Sequence, residues 1–353
     1  MSAPVRVAAV GLGRWANVLA AAYGRSEEVR LVSCFSRSEA KRRAFGERHG
    51  CASDASYAEL LARDDVDAVI VTVPNDQHAP VIEQAAQAGK HVFVEKPIAV
   101  TLEDARRIER AAEAAGIVFA CGHSARRLGG LREIKRLMES GEIGRVSVVE
   151  AVFANERGLQ IEADNWRGDP AKAPGGPLTQ LGVHQLDNLQ YLLGPVSRVV
   201  TFGKPMYTRV ENDTVNVTLL EFESGQMAYL GTNWACPGVF SIDVYGTEAD
   251  LFYQLDFSWW SDSNETDEHS RLTKRAFARA TDDPDDFDLQ DVDVAVPRGD
   301  HLRDEVEEFA RAVRGEASVE VDARAATRNV AVMLAAVRSS RDGRVVHVDE
   351  IMG

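Results

Sequence analysis

Four stretches in the first third of the chain carry residue types that could hold a phosphorylated ligand and move a proton beside it. Gly11-Leu12-Gly13-Arg14-Trp15-Ala16 reads G-x-G-x-x-A directly after the apolar run Val5–Val10. There, Gly11 permits a tight turn, Gly13 lets the backbone approach a pyrophosphate, and Ala16 keeps the next helix close to the strand. Leu12, Arg14 and Trp15 border the same turn, and the helix would aim free N–H groups at the phosphates. The plainer alternative is a simple glycine turn. Ser36 and Arg37, followed by Lys41 and Arg42, close the second apolar stretch. A carboxylate there would hold the ribose 2′-hydroxyl of NAD; a hydroxyl and a guanidinium suit a 2′-phosphate. The reading is therefore NADP(H) as preferred cofactor with NAD(H) as the alternative, unless Arg37 is only a solvated surface charge. Val73-Pro74-Asn75-Asp76-Gln77-His78 leaves another strand end, where Val73, Pro74, Asn75 and His78 could line the ribose and nicotinamide. Asn75 could also cap a helix. Glu95-Lys96-Pro97 ends a further strand. A partly buried lysine beside a positive nicotinamide would titrate closer to neutrality and serve as an acid or base. In isolation it would read as a surface lysine.

Positioning these residues requires parallel strands whose carboxyl ends share one edge. Residues 5–120 alternate accordingly. Strands are expected at Val5–Val10, Arg30–Phe35, Ala68–Val73, His91–Val94 and Ile117–Ala120. Helices are expected at Arg14–Arg25, Glu39–His49 and Gln77–Ala88, and after Thr101, which has Asp104 in capping-box position. The pattern then changes. A helix at Leu131–Ser140 precedes strands at Val146–Phe153, Val196–Phe202, Val215–Phe222, Met227–Trp234 and Ser241–Tyr245, interrupted by one amphipathic helix at Pro177–Leu193. Helices at His301–Arg314 and Ala323–Arg341 and a strand at Arg344–Val348 end the chain. The expected fold class is α/β: an N-terminal Rossmann dinucleotide-binding domain over residues 1–122, plus a C-terminal α/β domain over 123–353 with a large, mostly antiparallel open sheet. The final helices are expected to pack back toward the first domain. The aspartate-rich segment Thr281–Asp293 reads as a solvated loop, a cation site being the sharper alternative.

The chain has 353 residues, which favours two domains over one core. A formal net charge of −15 argues against a nucleic-acid or anionic-membrane partner. No apolar run is long enough to span a bilayer. The first residues lack the basic leader of a signal peptide, so a cytoplasmic protein is expected. The four cysteines, Cys34, Cys51, Cys121 and Cys236, form no C-x-x-C pair and no zinc-site spacing, so they are expected to be buried free thiols and no metal is expected.

With these motifs the sequence resembles the glucose–fructose oxidoreductase / inositol dehydrogenase (Gfo/Idh/MocA) family over nearly its whole length. The resemblance rests on G-L-G-R-W-A, V-P-N-D-Q-H and A-G-K-H-V-F-V-E-K-P. It continues through G-E-I-G-R-V, W-R-G-D-P, G-G-P-L-T-Q-L-G-V-H-Q-L-D and Y-G-T-E-A-D-L. It implies that Lys96, with Glu95 beside it, contacts the substrate hydroxyl and the nicotinamide, and that His184 is the acid/base or its close partner. It also implies that Gln180 stands where many members carry aspartate. Glutamine exchanges no proton but can hold an oxygen, so proton transfer would fall on Lys96 and His184. Positions 180 and 184 lie one helical turn apart, and Asp187 can reach the same side. Trp166 and Arg167 match an element near the nicotinamide, a packing tryptophan with a surface arginine being the alternative. His123 follows the last strand of the first domain, where members place a cofactor- or substrate-facing residue. The aromatic residues of Phe252–Trp260 read as sheet packing rather than a sugar-stacking platform.

The expected function is hydride transfer between an NAD(P) cofactor and a secondary alcohol or ketone of a sugar, cyclitol or related polyol. Two alternatives stay open. One is an enzyme that retains its cofactor and uses transient oxidation for lyase, epimerase or glycosidase chemistry. The other is a non-catalytic NADP-binding sensor. The open sheet is expected to join copies of the chain into a homodimer or homotetramer.

Overall fold

The first strands are apolar on both faces, as a sheet covered by helices requires. In the computed structural model, which describes residues 3–162, 165–278 and 288–353, β1 (Val5–Val10), β2 (Val29–Phe35), β3 (Ala52–Ser53), β4 (Ala68–Val71), β5 (His91–Glu95) and β6 (Phe119–Gly122) form a parallel sheet. Its order is β3-β2-β1-β4-β5-β6. This is the doubly wound order, whose ligand crevice lies at the carboxyl ends of the strands where the order reverses. The connecting helices are α1 (Arg14–Tyr23), α2 (Glu39–His49), α3 (Tyr57–Leu61), α4 (His78–Gln87) and α5 (Leu102–Ala115). Thr101 caps α5 by accepting the Asp104 N–H at 3.1 Å, the expected capping box.

Two strand ends differ from expectation. β4 stops at Val71, because the Thr72 hydroxyl turns onto the Gly11 carbonyl at 2.5 Å and the chain leaves the sheet for Pro74. β6 starts at Phe119 rather than Ile117. α5 ends in left-handed Gly116, and the Ile117 N–H folds back to the Ala112 carbonyl at 3.2 Å.

Beyond β6 come α6 (Gly129–Glu139), β7 (Val146–Asn155), α7 (Arg157–Gln160), α8 (Val183–Leu193), β8 (Val196–Lys204), β9 (Val215–Phe222), β10 (Met227–Asn233), β11 (Gly238–Gly246), β12 (Ala249–Leu255), β13 (Ser270–Phe277) and β14 (Leu289–Val294). Then follow α9 (His301–Val313), α10 (Ala323–Asp342), β15 (Val346–His347) and α11 (Asp349–Met352). Contacts divide the chain into two compact units, Met1–Ser124 with Asp300–Val330, and Ala125–Gly299 with Ala331–Gly353. In the first unit Val7, Ile70 and Phe93 of the sheet pack with Leu19 of α1 and with Val306 and Phe309 of α9.

In the second unit nine strands run in the order β14-β13-β12-β11-β7-β10-β9-β8-β15. Among its described residues only β7 and β10 pair in parallel, so the sheet is mostly antiparallel. Burial alternates along β9: Asn216, Thr218, Leu220 and Phe222 are buried, while Val217 and Leu219 face outward. The expected helix at Pro177–Leu193 is really two pieces, a π-helical turn at Leu178–Gly182 followed by α8. Apolar periodicity cannot register one extra residue per turn. The aspartate-rich stretch is also corrected. Leu289–Val294 is a strand, and Asp291 and Asp293 pair across it with Arg275 and Arg271 at 2.7 and 2.9 Å. The remainder, residues 281–287, lies outside the described residues.

Candidate active site and cofactor cradle

The glycine turn is built at the end of β1. Gly11 has φ 90°, and a Cβ there would lie 2.7 Å from the Val73 nitrogen. Its N–H donates to the Phe35 carbonyl at 2.9 Å, which ties the turn to the end of β2. Gly13 is the reverse case: a Cβ there would meet nothing within 4 Å. The fold leaves open space there, which a close approach of phosphate oxygens would use. Gly13 also occupies the N-cap of α1 with no side-chain cap, and the first turn holds no acidic residue. The ten-residue helix thus leaves its N–H groups to a ligand. The turn therefore fits a pyrophosphate. Leu12 is buried, so only its backbone can face one, whereas Arg14 is exposed.

At the end of β2, Ser36 is half-buried and its carbonyl accepts from Arg42 at 2.7 Å. Ser38 caps α2 by accepting the Lys41 N–H. The side chains of Arg37 and Lys41 are exposed. The position after Phe35 carries a hydroxyl and no carboxylate.

At the end of β4, Val73 and Pro74 lead into a 3-10 turn, Asn75–Gln77. Asn75 caps nothing, and its Nδ2 is buried without a hydrogen-bond partner among the described residues. Of its two expected roles the cap fails, and an orphaned donor remains at the strand end. His78 is held by backbone. It is buried, its Nδ1 lies 3.1 Å from the carbonyls of Pro97 and Ile98, and its Nε2 lies 3.1 Å from that of Val73. Both ring nitrogens face backbone carbonyls, so His78 links the loops after β4 and β5.

At the end of β5, Glu95 is buried and accepts from the Trp15 indole at 2.6 Å. Burial pushes its carboxyl up to about 7, against the opposing pull of the Lys96 charge and of the indole hydrogen bond. Lys96 follows, half-buried, ahead of a cis bond to Pro97. Tyr23 sits nearby; burial first, then the charges of Glu95 and Glu305, pushes its phenol well up. After β6, His123 is buried, with its Nε2 3.4 Å from the Asn329 amide. The sequence reading missed both Asn329 and the Trp15–Glu95 link. Each joins residues far apart in the chain, and no local pattern marks such a pair.

In the second unit, Gln180 lies in the π-helical turn and His184 in the first turn of α8. The His184 ring is buried between Phe153 and Trp260, at 5.8 and 5.3 Å between centroids. Trp260 also packs on Phe240, so this tryptophan both fills the sheet core and walls the histidine. Asp187 is engaged in an ion pair. Its carboxylate is held by both ends of the Arg126 guanidinium at 2.7 and 2.6 Å. The Arg167 guanidinium stacks 4.4 Å from the Trp166 ring. Burial, with Arg157 adding repulsion, lowers its pKa to about 10. Its Nε has no partner among the described residues, so it is no surface charge. Among the described residues no group of three or more His, Cys, Asp or Glu side chains could hold a metal ion, and no helix is long and apolar enough to cross a membrane.

An open helix terminus beside glycine, a doubly wound sheet and a lysine at a neighbouring strand end define an NAD(P)-dependent oxidoreductase. Comparison with known families agrees. Residues 5–123 match the oxidoreductase family with an NAD-binding Rossmann fold, and residues 131–252 match the Gfo/Idh/MocA C-terminal domain. The chain belongs to the Gfo/Idh/MocA family. It is 33% identical over 236 residues to a 1,5-anhydro-D-fructose reductase of Ensifer adhaerens, covering 63% of this chain and 67% of that protein. It is 31% identical over 236 residues to a dTDP-3,4-didehydro-2,6-dideoxy-alpha-D-glucose 3-reductase of Saccharopolyspora spinosa, covering 65% and 69%. A crystal structure from Desulfitobacterium hafniense, of a protein provisionally named an NADPH-dependent oxidoreductase, superposes over 100% of both chains with a TM-score of 0.97 and 61% identity.

Proposed function

We propose that the chain is an NADP(H)-preferring oxidoreductase acting on a secondary alcohol or ketone of a sugar, cyclitol or related polyol. The observation that carries this reading is the Trp15–Glu95 hydrogen bond. It joins the helix that receives the pyrophosphate to the strand end that presents Lys96. Gly11 to Trp15 hold the pyrophosphate. Ser36, Arg37 and Lys41 take the 2′-phosphate, and Val73, Pro74 and Asn75 take the ribose side. When bound, the nicotinamide supplies or accepts the hydride. Lys96 Nζ holds the reacting oxygen, and His184 takes or returns its proton. Gln180 orients an oxygen through its amide without exchanging a proton. Trp166 and Arg167 complete the cofactor contacts, the desolvated guanidinium being suited to an anion. The two relatives named above, a reductase of an anhydro sugar and one of a nucleotide sugar, support the substrate class.

Equilibrium binding of NADPH and NADH to the full chain tests the cofactor half. NADPH should bind at least tenfold more tightly, about 1.4 kcal/mol; equal affinities would overturn the preference. We assign the outer face of the second unit's sheet to self-association as a homodimer or homotetramer. Phe202, Leu219, Met227 and Val239 are all exposed there. Leu219→Glu should shift the mass measured by light scattering to that of a monomer; a wild-type chain already monomeric would refute the assignment.

A further inference from the structure

We propose that Arg167, Arg157 and Thr208 form an anion site in the second unit, which takes a carboxylate or phosphate group carried by the substrate. That the anion is part of the substrate rests on the sugar reading above; the anion site itself does not.

Two short segments bring the cations to one loop. Arg157 opens α7, and Arg167 stands in the 3-10 turn Trp166–Gly168. Each arginine is followed by a glycine that packs on the loop between β8 and β9. A Cβ at Gly158 would lie 3.1 Å from the Thr208 Cγ2, and one at Gly168 would lie 2.5 Å from the Val210 Cγ1. Thr208 and Val210 are two residues apart, a span of about 7 Å at most. Asn212 of the same loop donates to the Arg167 carbonyl at 3.4 Å and to that of Ala173 at 2.7 Å, which ties the turn to the loop. Trp234, wholly buried, packs on Gly158: a Cβ there would lie 2.7 Å from its own Cβ.

This neighbourhood has donors without acceptors. The Arg167 Nε, the Thr208 hydroxyl and the Trp234 indole N–H are buried, and none has a hydrogen-bond partner among the described residues. Each is costly to bury in that state. The acids close by in sequence are engaged elsewhere: Glu162 with Arg209 at 2.9 Å, both exposed, and Asp169 with the Ala171 N–H at 2.9 Å. Burial, then Arg157, depresses the Arg167 pKa, and no carboxylate raises it. An anion completes such a guanidinium by accepting from its planar donors. Trp166 holds that plane by stacking on it at 4.4 Å. A guanidinium carries five donors, so the cofactor contact given above leaves others for a second partner.

The anion site adjoins the segment that carries Gln180. The Trp234 Cζ3 lies 3.3 Å from where a Cβ of Gly176 would stand, and the Gly176 carbonyl accepts from the Gln180 N–H at 3.2 Å. Gln180 is the residue that orients a substrate oxygen in the reading above. The sugar it orients therefore lies next to a site for an acidic substituent, such as a uronate or a sugar phosphate carries. Carboxylate and phosphate each offer a guanidinium two acceptor oxygens, so both fit.

Inorganic phosphate is titrated into the full chain at saturating NADPH, by calorimetry at constant ionic strength. Saturable binding is expected. Its affinity should fall about tenfold or more in Arg167→Met and in Arg157→Gln, and about fivefold in Thr208→Val, as charged and neutral hydrogen bonds are lost. Without phosphate, Arg167→Met should melt no lower than wild type, because an unpaired desolvated charge does not stabilise the fold. Turnover at saturating NADP+ is then compared for D-glucose, D-glucuronate and D-glucose 6-phosphate, and likewise for other neutral sugars and their acidic forms. For at least one sugar the uronate or the phosphate should have a KM at least tenfold below that of the neutral form, and Thr208→Val should narrow the gap. The uronate and phosphate arms tell which anion is preferred. Absent phosphate binding, equal binding by Arg167→Met, or a markedly lower melt of that variant overturns the anion site. Phosphate binding with neutral sugars preferred overturns its assignment to the substrate. Turnover of no sugar in either form overturns the sugar reading instead, and calorimetry still reads the anion site.

Discussion

Glu95→Gln should make the fold more stable, and only above acidic pH. Glu95 titrates near 4.5 in an unfolded chain and is pushed up to about 7 in the fold, where it is buried against Trp15. Between those values the native state holds a proton that the unfolded state has released. Stability therefore falls as pH rises, by about 1.4 kcal/mol per pH unit. The loss is absent below the unfolded value and complete above the folded one, about 3 kcal/mol in all. Glutamine has the same shape, and its amide oxygen still accepts from the indole, so the variant lacks this slope. Urea unfolding of the cofactor-free chain at pH 5, 6, 7 and 8 reads the difference. The advantage of the variant should grow from about 1 kcal/mol at pH 5 to about 3 kcal/mol at pH 8. Trp15→Phe removes a hydrogen bond that lowers the Glu95 pKa, so it should extend the falling window to higher pH. Parallel profiles for wild type and Glu95→Gln from pH 5 to 8 would refute the reasoning.

The glycines of the turn should separate fold from ligand. Gly11→Ala places a Cβ at φ 90° and 2.7 Å from the Val73 nitrogen, so thermal melts should show a loss of about 1–3 kcal/mol or more. Gly13→Ala meets no protein atom at its Cβ, so it should cost no more than the about 1 kcal/mol of a poorer N-cap while NADPH affinity falls more than about tenfold. Arg37→Ala should weaken NADPH binding about tenfold in calorimetry and leave NADH unchanged, because only the 2′-phosphate needs the guanidinium. Asp187→Asn removes the charge from the Arg126–Asp187 ion pair, whose side chains are 11% and 1% exposed, and unfolding should register a loss of about 1–3 kcal/mol. An unchanged melt would refute a structural role for the pair.

The fold was legible where burial writes itself as local pattern. Val5–Val10 reads as a strand because both faces are covered, and the capped start of α5 is visible in Thr101 and Asp104 because capping is local. β3 and α3 were not legible, being two and five residues long and too short for any period. β14 was hidden because its aspartates mimic a solvated loop until Arg271 and Arg275 are brought opposite them. The site shows the same division. Gly11 and Gly13 announced their turn, and Lys96 its strand end. The duty of His78 could not be read, because the carbonyls that hold it come from Pro97 and Ile98, about twenty residues on. The Asp187–Arg126 pair spans 61 positions. A motif places a residue near a site, and only the fold decides whether its side chain is already engaged.

Lys96 carries the central claim, and its test is turnover against binding in one variant. NADP+ reduction should be followed at saturating cofactor over a panel of sugars, cyclitols and polyols, with wild type and Lys96→Ala side by side. The account predicts turnover by wild type on at least one member. It also predicts a fall of about a hundredfold to ten-thousandfold in the variant, which still binds NADPH. Near-normal turnover by Lys96→Ala on the same substrate would contradict it.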